Sequence, residues 1–349
     1  MAAFRWPWTV RRSERRLTLR ASADLFAWVL TDPAEGQDLP PLVEWGALTR
    51  NDDEDAEAFA KRARALGLAA GEVIALLEPD QYQLLKVETP NVPNEELKAA
   101  ARWQIKELVD AHLDDLTLDV MHVGDDTPRA QRQLFVVTAR NAAITALTGA
   151  AEAAGANPNV VDIWETALRN LQSAQAARDQ MRERACAALL LQDRQCLLTV
   201  SVNDELFYTR RLDGDDRLAA RATGAAAPRV QVEAPLGFEY TPGVDLNAAY
   251  GGDSEESALI VELQRSIDVW ERSWPDLPLA RLYLVAPEHG AAVAALMQRE
   301  LGLRTVALEP AALFPGLLRD AGDTSARAAE LAACLPLLGA CLRAESRKL

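Results

Sequence analysis

Two stretches of this 349-residue chain repeat one order of strands and helices, and that repetition limits the folds open to it. From residue 17, "LTLRA" and "LFAWVL" are apolar, β-prone runs joined by a tight Ser-Ala-Asp turn, and "VEWGALTR" adds a third strand. From residue 186, "CAALLLQ", "QCLLTVSVN" and "ELFYTRRLD" read as three more consecutive antiparallel strands. Each meander then gives way to alternating helices and strands. The first leads into "NDDEDAEAFAKRARALGLAAG", an acid-capped helix ending in Gly, and the buried-type strand "EVIALLEP". The second leads, after a Gly-, Ala-, Pro- and Asp-rich loop over 213–256, into "EESALIVELQRSIDVWERSW", "ARLYLVAP", "HGAAVAALMQRELG" and "RTVALEP". A chain of this length exceeds one small core, and the pattern points to a duplicated α/β protein with mixed sheets.

An additional unit separates the halves. "YQLLKVETP", "LTLDVMHV" and "RQLFVVTA" are strands, with "GDDTPRAQ" as the turn between the last two. "NAAITALTGAAEAAGA" is a helix ending at Gly155, and "VVDIWETALRNLQSAQAARDQMRERA" reads as one long helix. An Ala/Leu helix over 324–345 closes the chain. The expected division is a leader over 1–16, a first lobe over 17–80, an inserted subdomain over 81–160 and a second lobe over 161–349.

Within the insert, "NVPNEELKAAARWQIKELVD" predicts a helix capped by Asn94, with Glu95 and Glu96 in the first turn, where the helix dipole favours acids. Leu97, Ala101, Ile105 and Leu108 form one stripe at 3.6-residue spacing. Trp103 points off that stripe, toward Ala99 and Ala100. Two readings stand: it packs against the neighbouring subdomain, or it lines a binding groove.

The net charge of -15 repels phosphates and argues against general nucleic-acid binding. Residues 1–20 run the other way, with six arginines, one glutamate, Phe4, Trp6 and Trp8. They either touch an anionic membrane surface or form a solvated end. "RRS" at 11–13 lacks the apolar run that a signal peptide needs, and "LAACLPLLGACL" is too short to span a bilayer. The expectation is a cytoplasmic protein. Cys186, Cys196, Cys334 and Cys341 lie in apolar segments without metal spacing, and read as buried, inert thiols. His112, His122 and His289 are far apart, so no metal site is expected. Acidic runs such as Asp52, Asp53 and Glu54, or Asp114 and Asp115, read as solvated helix starts and turns. No P-loop and no nucleophile elbow occurs.

Three segments, in order, resemble a known family. They are "YQLLKVETPNVPNEELKAAARWQIKELVDAHLDDLTLDV", "VVTARNAAITALTGAAEAAGANPNVVDIWETALRN" and "LIVELQRSIDVWERSWPDLPLARLYLV". The chain resembles PilM, the cytoplasmic actin-like component of type IV pilus assembly. It is most similar to the MshI branch, from the mannose-sensitive haemagglutinin pilus system. The resemblance implies an actin-like (ribonuclease H-like) duplicated α/β fold. It also implies a groove for the N-terminal cytoplasmic tail of a PilN-type inner-membrane protein, with Leu84, Val87, Trp103, Ile105 and Leu108 as candidate contacts. A pilus motor ATPase is a possible second partner, and the protein is expected to lie peripherally on the inner membrane.

Actin-like ATPases hold nucleotide with two Asp- and Gly-bearing hairpins and a Gly-Gly turn. Laid on this chain, the first hairpin puts Leu19 at the aspartate, Ala21 at the glycine and Phe26 at the lysine. The second puts Leu190 at the aspartate and Gln192 at the glycine, and the adenosine turn falls on Ala286 and Pro287. An apolar side chain in place of a cation-holding carboxylate removes the interaction. The expectation is therefore a non-catalytic scaffold with no cofactor. The alternative is a degenerate site that still takes ATP with magnesium, through Asp24 or Asp193. A sugar-kinase relative of the same fold is a more distant reading.

Overall fold

The computed structural model describes residues 15–32, 39–124, 133–192, 195–215, 217–224, 257–317 and 324–344. The first meander is β1 (Arg16–Ala21), β2 (Leu25–Thr31) and β3 (Leu42–Thr49), all antiparallel. Ser22 closes its first turn by accepting the Asp24 and Leu25 amides on its hydroxyl. Helix α1 (Ala56–Arg64) follows, capped by Asp55 accepting from the Ala58 amide at 2.8 Å. β4 (Glu72–Leu76) then pairs in parallel with β1, and β8 (Val160–Asp162) with β4. The order is β3-β2-β1-β4-β8.

The second half repeats it. β9 (Cys186–Leu191), β10 (Gln195–Val202) and β11 (Glu205–Asp213) form an antiparallel meander, and β12 (Arg281–Val285) and β13 (Thr305–Ala307) add in parallel. The order β11-β10-β9-β12-β13 is that of the first sheet, element for element. Short α5 (Leu218–Thr223), α6 (Ala258–Ser273) and α7 (Gly290–Leu301) belong to this half. This is the duplicated, actin-like α/β fold. Between β4 and β8 a third sheet is inserted, of β5 (Tyr82–Glu88), β6 (Leu116–His122) and β7 (Gln133–Arg140), ordered β5-β7-β6 with α2 (Asn94–Gln104) on one face. After β7, α3 (Asn141–Ala153) packs back on the first sheet.

Helix α4 (Trp164–Arg178) and, after the single turn α8 (Pro310–Leu313), α9 (Thr324–Ala340) lie between the two large sheets. Their apolar faces meet Val29, Trp45 and Ile74 of one sheet and Ala188, Leu190 and Tyr283 of the other. Each fully buried leucine here, such as Leu337 and Leu338 at 0% exposure, contributes about 1.5–3 kcal/mol by leaving water. The helices cross at Gly339, whose carbonyl accepts from Asn170 Nδ2 at 3.3 Å. A Cβ there would sit 2.6 Å from the Ala167 carbonyl carbon.

Strand β1 is stitched to α9 in register. Arg16 Nη1 donates to the Cys341 carbonyl, Thr18 Oγ1 to Leu337 and Arg20 Nη1 to Ala333, at 2.7, 3.1 and 2.9 Å. Two strand residues advance about 6.7 Å and four helix residues about 6 Å, so alternate strand positions meet successive turns of an antiparallel helix. Arg16 and Arg20, which the sequence groups with the basic leader, are thus structural. Residues 1–14 of that leader lie outside the described residues.

Several expectations are corrected. Residues 160–162 are a strand and not the start of a long helix, because two β-branched valines complete the sheet edge beside β4. That strand straddles the expected boundary between 160 and 161, and α9 packs against strands of the first sheet. Asn94 is the first helical residue, and Pro93 holds the cap position without a side-chain bond. After Gln104 the chain tightens into a 3-10 turn over Ile105–Glu107, which rotates Leu108 out of the stripe. The four cysteines are buried and unpaired, as expected.

Candidate functional site

Two clefts separate the units. The first lies between Arg20 on β1 and Gln192 and Gln195 at the ends of β9 and β10. Leu19 and Phe26 are buried in the first lobe's core, and Leu190 in the core between the sheets. Gln192 Nε2 points to the Ala332 carbonyl at 3.5 Å. Pro336, four residues on, has no N–H to offer that carbonyl. Ala286 packs half-buried against the second lobe, with Pro287 after it. Asp24 is turned to Arg50, at 2.6 Å, and Asp193 lies outside the described residues.

The cleft itself is a cavity of about 150 Å³, walled by Arg20, Glu78, Trp164, Gln192, Leu197 and Arg211. It has room for on the order of five waters, against roughly 300 Å³ or more for drug-sized ligand pockets. Arg20 and Glu78 form a bidentate pair on its wall, 2.8 and 2.9 Å, with the guanidinium 4.9 Å above the Trp164 ring. Trp164 Nε1 is buried and has no protein partner.

The second cleft is a groove of about 1220 Å³ between the inserted sheet and the two lobes. Its floor is one face of α4, with Thr166, Arg169, Asn170, Ser173 and Ala177. Residues 119–122 of β6 form one wall, the turn at 341–344 another, and the β10–β11 turn at 203–206 closes one end. From Thr166 to Ala177 the helix rises about 16 Å, the span of about five extended residues. The lining is mixed. Asp162 is buried and receives Arg343 Nη1 at 2.8 Å, and Arg169 is buried with its Nη2 2.8 Å from Asn170 Oδ1. Ser173 lines the floor, but its hydroxyl is buried and has no hydrogen-bond partner. The inserted sheet meets the second lobe where the Gly124 amide donates to the Leu206 carbonyl at 2.8 Å. Gly124 has φ +74°, and a Cβ there would lie 2.6 Å from the Phe207 ring.

The five expected contact residues do not converge on this groove. Leu84 and Val87 sit an odd number of positions apart and face opposite sides of the sheet. Leu84 packs toward the lobes, while Val87 and the fully buried Ile105 belong to the core under α2. Trp103 is 69% exposed and Leu108 56%, on the outer side of the insert. Trp103 therefore does not pack on a neighbouring subdomain, and none of the five lines the groove. The groove residues that sequence reading missed are on α4. Their signal was a polar line at 166, 169, 170 and 173 on a helix otherwise almost wholly buried.

Among the described residues no cluster of ligating side chains could hold a metal ion, and no helix is long and apolar enough to cross a membrane. No protein-family model matches the chain, and no curated protein matches its sequence. Solved structures do. The chain is similar to a "PilM-PilN type IV pilus biogenesis complex" structure, at TM-score 0.62 and 19% identity, over 95% of this chain and 99% of that one. At that identity the likeness shows the fold, end to end. The cytoplasmic domain of EpsL, an inner-membrane component of the type II secretion system of Vibrio cholerae, matches at 15% identity and TM-score 0.42, over 82% and 94% of the two chains. A Bacteroides thetaiotaomicron protein of actin-like ATPase fold and unknown function matches at 8% identity and TM-score 0.45, over 85% and 91%.

Proposed function

We propose that this chain is a non-catalytic scaffold of a type IV pilus assembly platform, of the MshI branch. It works on the cytoplasmic face of the inner membrane, to which it is peripheral. The groove along α4 takes the extended N-terminal tail of a PilN-type membrane protein, and a pilus motor ATPase is a second partner of the assembled platform. The observation that carries this reading is the likeness to the PilM-PilN complex structure over 95% of the chain, in a fold that keeps a peptide-sized groove. Its support comes from chemistry. An extended peptide needs apolar contact and a few polar partners for its backbone, and the groove offers the half-buried Met121 and Leu342 beside Asn170 and the exposed Asn203. The non-catalytic part rests on the hairpin residues. Leu19 and Leu190 cannot hold a hydrated cation, and an internal Arg–Glu pair lines the small remaining cavity.

The test is a calorimetric titration of the full chain with the N-terminal tail peptide of a PilN-type protein from the same cell. One-to-one binding is expected, weakened at least tenfold by Ala177→Trp, which puts a large side chain on the exposed part of the groove floor. No heat at several hundred micromolar peptide would overturn the proposal. A nucleotide at 100 times its dissociation constant would add about 2.7 kcal/mol of stability, so a flat thermal scan with millimolar Mg-ATP is expected.

A further inference from the structure

The root of the inserted sheet runs through the small cleft, and both lobes grip it. Leaving β4, the chain crosses residues 78–82 before entering β5. Arg20 of the first lobe holds Glu78 with two hydrogen bonds, while its third nitrogen is tied to the Ala333 carbonyl of α9. Arg211, on β11 of the second lobe, reaches the same stretch. Its Nη1 donates to the Pro79 carbonyl, and its guanidinium stacks 4.5 Å above the Tyr82 ring. Its Nε and Nη2 both donate to Glu165 Oε1, at 3.2 and 3.0 Å.

Glu165 is buried in the first turn of α4, where the helix N-terminus favours its charge. Its other oxygen accepts a hydrogen bond from the Tyr82 hydroxyl, and the Tyr82 oxygen accepts one from the Trp164 amide at 3.1 Å. The linker is closed on itself too, with the Gln81 amide on the Glu78 carbonyl at 2.9 Å and the Glu78 amide on Gln81 Oε1 at 3.0 Å. Four separate pieces thus meet at Arg211: the second lobe, α4, the linker and the first residue of the inserted sheet. They meet beside the small cavity, which Arg211 itself lines.

We infer that Arg211, Glu165 and Tyr82, with Arg20 and Glu78, form a built-in clasp that joins the lobes and sets the angle of the inserted sheet without a nucleotide. The clasp holds one wall of the groove, strand β6, at a fixed distance from its floor, helix α4. In part this rests on the proposed function, because it assigns the control of groove width to side chains. A guanidinium suits this role, since it is always charged and its planar fork serves two acceptors and a ring face at once.

The test is hydrogen exchange on the full chain, without peptide, in wild type, Arg211→Met and Arg211→Lys. In Arg211→Met, amides of residues 78–88 and 133–140 are expected to exchange at least tenfold faster, with β9 and β10 unchanged. Arg211→Lys keeps a charge for Glu165 but loses the fork, and a smaller acceleration in the same segments is expected. If the methionine variant does not fold, Arg211→Met with Glu165→Gln removes the stranded charge and reads the same segments. Exchange within twofold of wild type in these segments would overturn the clasp. So would slowing of the 78–82 amides in wild type by millimolar Mg-ATP, since nucleotide would then be closing the cleft. Peptide titration of the same variants separates the two proposals. Accelerated exchange in a chain that never binds the tail keeps the clasp and removes the scaffold reading, and tail binding with unchanged exchange does the reverse.

Discussion

Gly339→Ala tests the packing on which both lobes depend. The ideal Cβ at this position falls 2.6 Å from the Ala167 carbonyl carbon and 3.2 Å from its Cα. Ordinary carbon–carbon contact begins near 3.5 Å, so α9 must move by roughly 1 Å. The obstacle is backbone in the first turn of α4, which has no rotamer to yield. Moving α9 also disturbs Cys334, Leu335, Leu337, Leu338 and Cys341, each at most 1% exposed. Overpacking a well-filled core costs about 1–3 kcal/mol, and a clash with main chain belongs at the upper end, about 3 kcal/mol. At about 2.1 cal/mol/K of unfolding entropy per residue, a chain of 349 residues loses about 4 °C in midpoint for that change. The control is Gly149→Ala, in the interior of α3, where nothing lies within 4 Å of the new methyl. It removes the entropy penalty of a helical glycine and should stabilise by about 0.5–1 kcal/mol. Thermal and urea unfolding of both variants give the answer. A Gly339→Ala protein as stable as wild type, or a ranking in which Gly149→Ala is the more damaged, would refute the close crossing of α4 and α9.

Burial pushes the thiols of Cys186 and Cys196 up to about 11 and those of Cys334 and Cys341 up to about 12, so a thiol reagent at pH 8 should find almost none in the native chain and all four after denaturation. Unfolded thiols ionise near pH 8.5 while the folded ones stay protonated. Their contribution is therefore intact below about pH 8.5 and is lost as pH rises toward 11–12, and the urea midpoint should fall between pH 8 and pH 10. Trp103→Ala, at a position 69% exposed, should change stability by no more than about 0.5 kcal/mol. Trp270→Ala should cost about 3–5 kcal/mol, since that ring is 1% exposed, packs on Phe207 and Trp274, and donates to the Leu277 carbonyl at 2.9 Å.

The duplication was legible because it is local. Period-2 apolar runs, the Ser22 turn and the Asp55 cap each act within a few residues, so both meanders could be read without knowing what they touch. The helix of the insert shows where that reading ends. Its stripe placed Leu97, Ala101 and Ile105 inside, correctly, but the 3-10 turn after Gln104 turned Leu108 outward. Trp103 was recognisable as off the stripe, yet whether a partner subdomain covers it is a question about distant elements, and among the described residues none does. Arg16 and Arg20 read as part of a basic leader, and only the folded chain aligns them with the carbonyls of a helix more than 300 residues away.

The groove and the clasp belong to the same class. Thr166, Arg169 and Ser173 line a groove because β6 and the turn at 341–344 arrive beside α4, and Arg211 is a clasp because Glu165, Pro79 and Tyr82 meet it. Periodicity and turn chemistry are written between neighbours along the chain, so they set each strand, each helix and their twofold recurrence. Ion pairs, cavities and exposed faces form between segments far apart in sequence, so the site came into being only when the two lobes and the inserted sheet closed on one another.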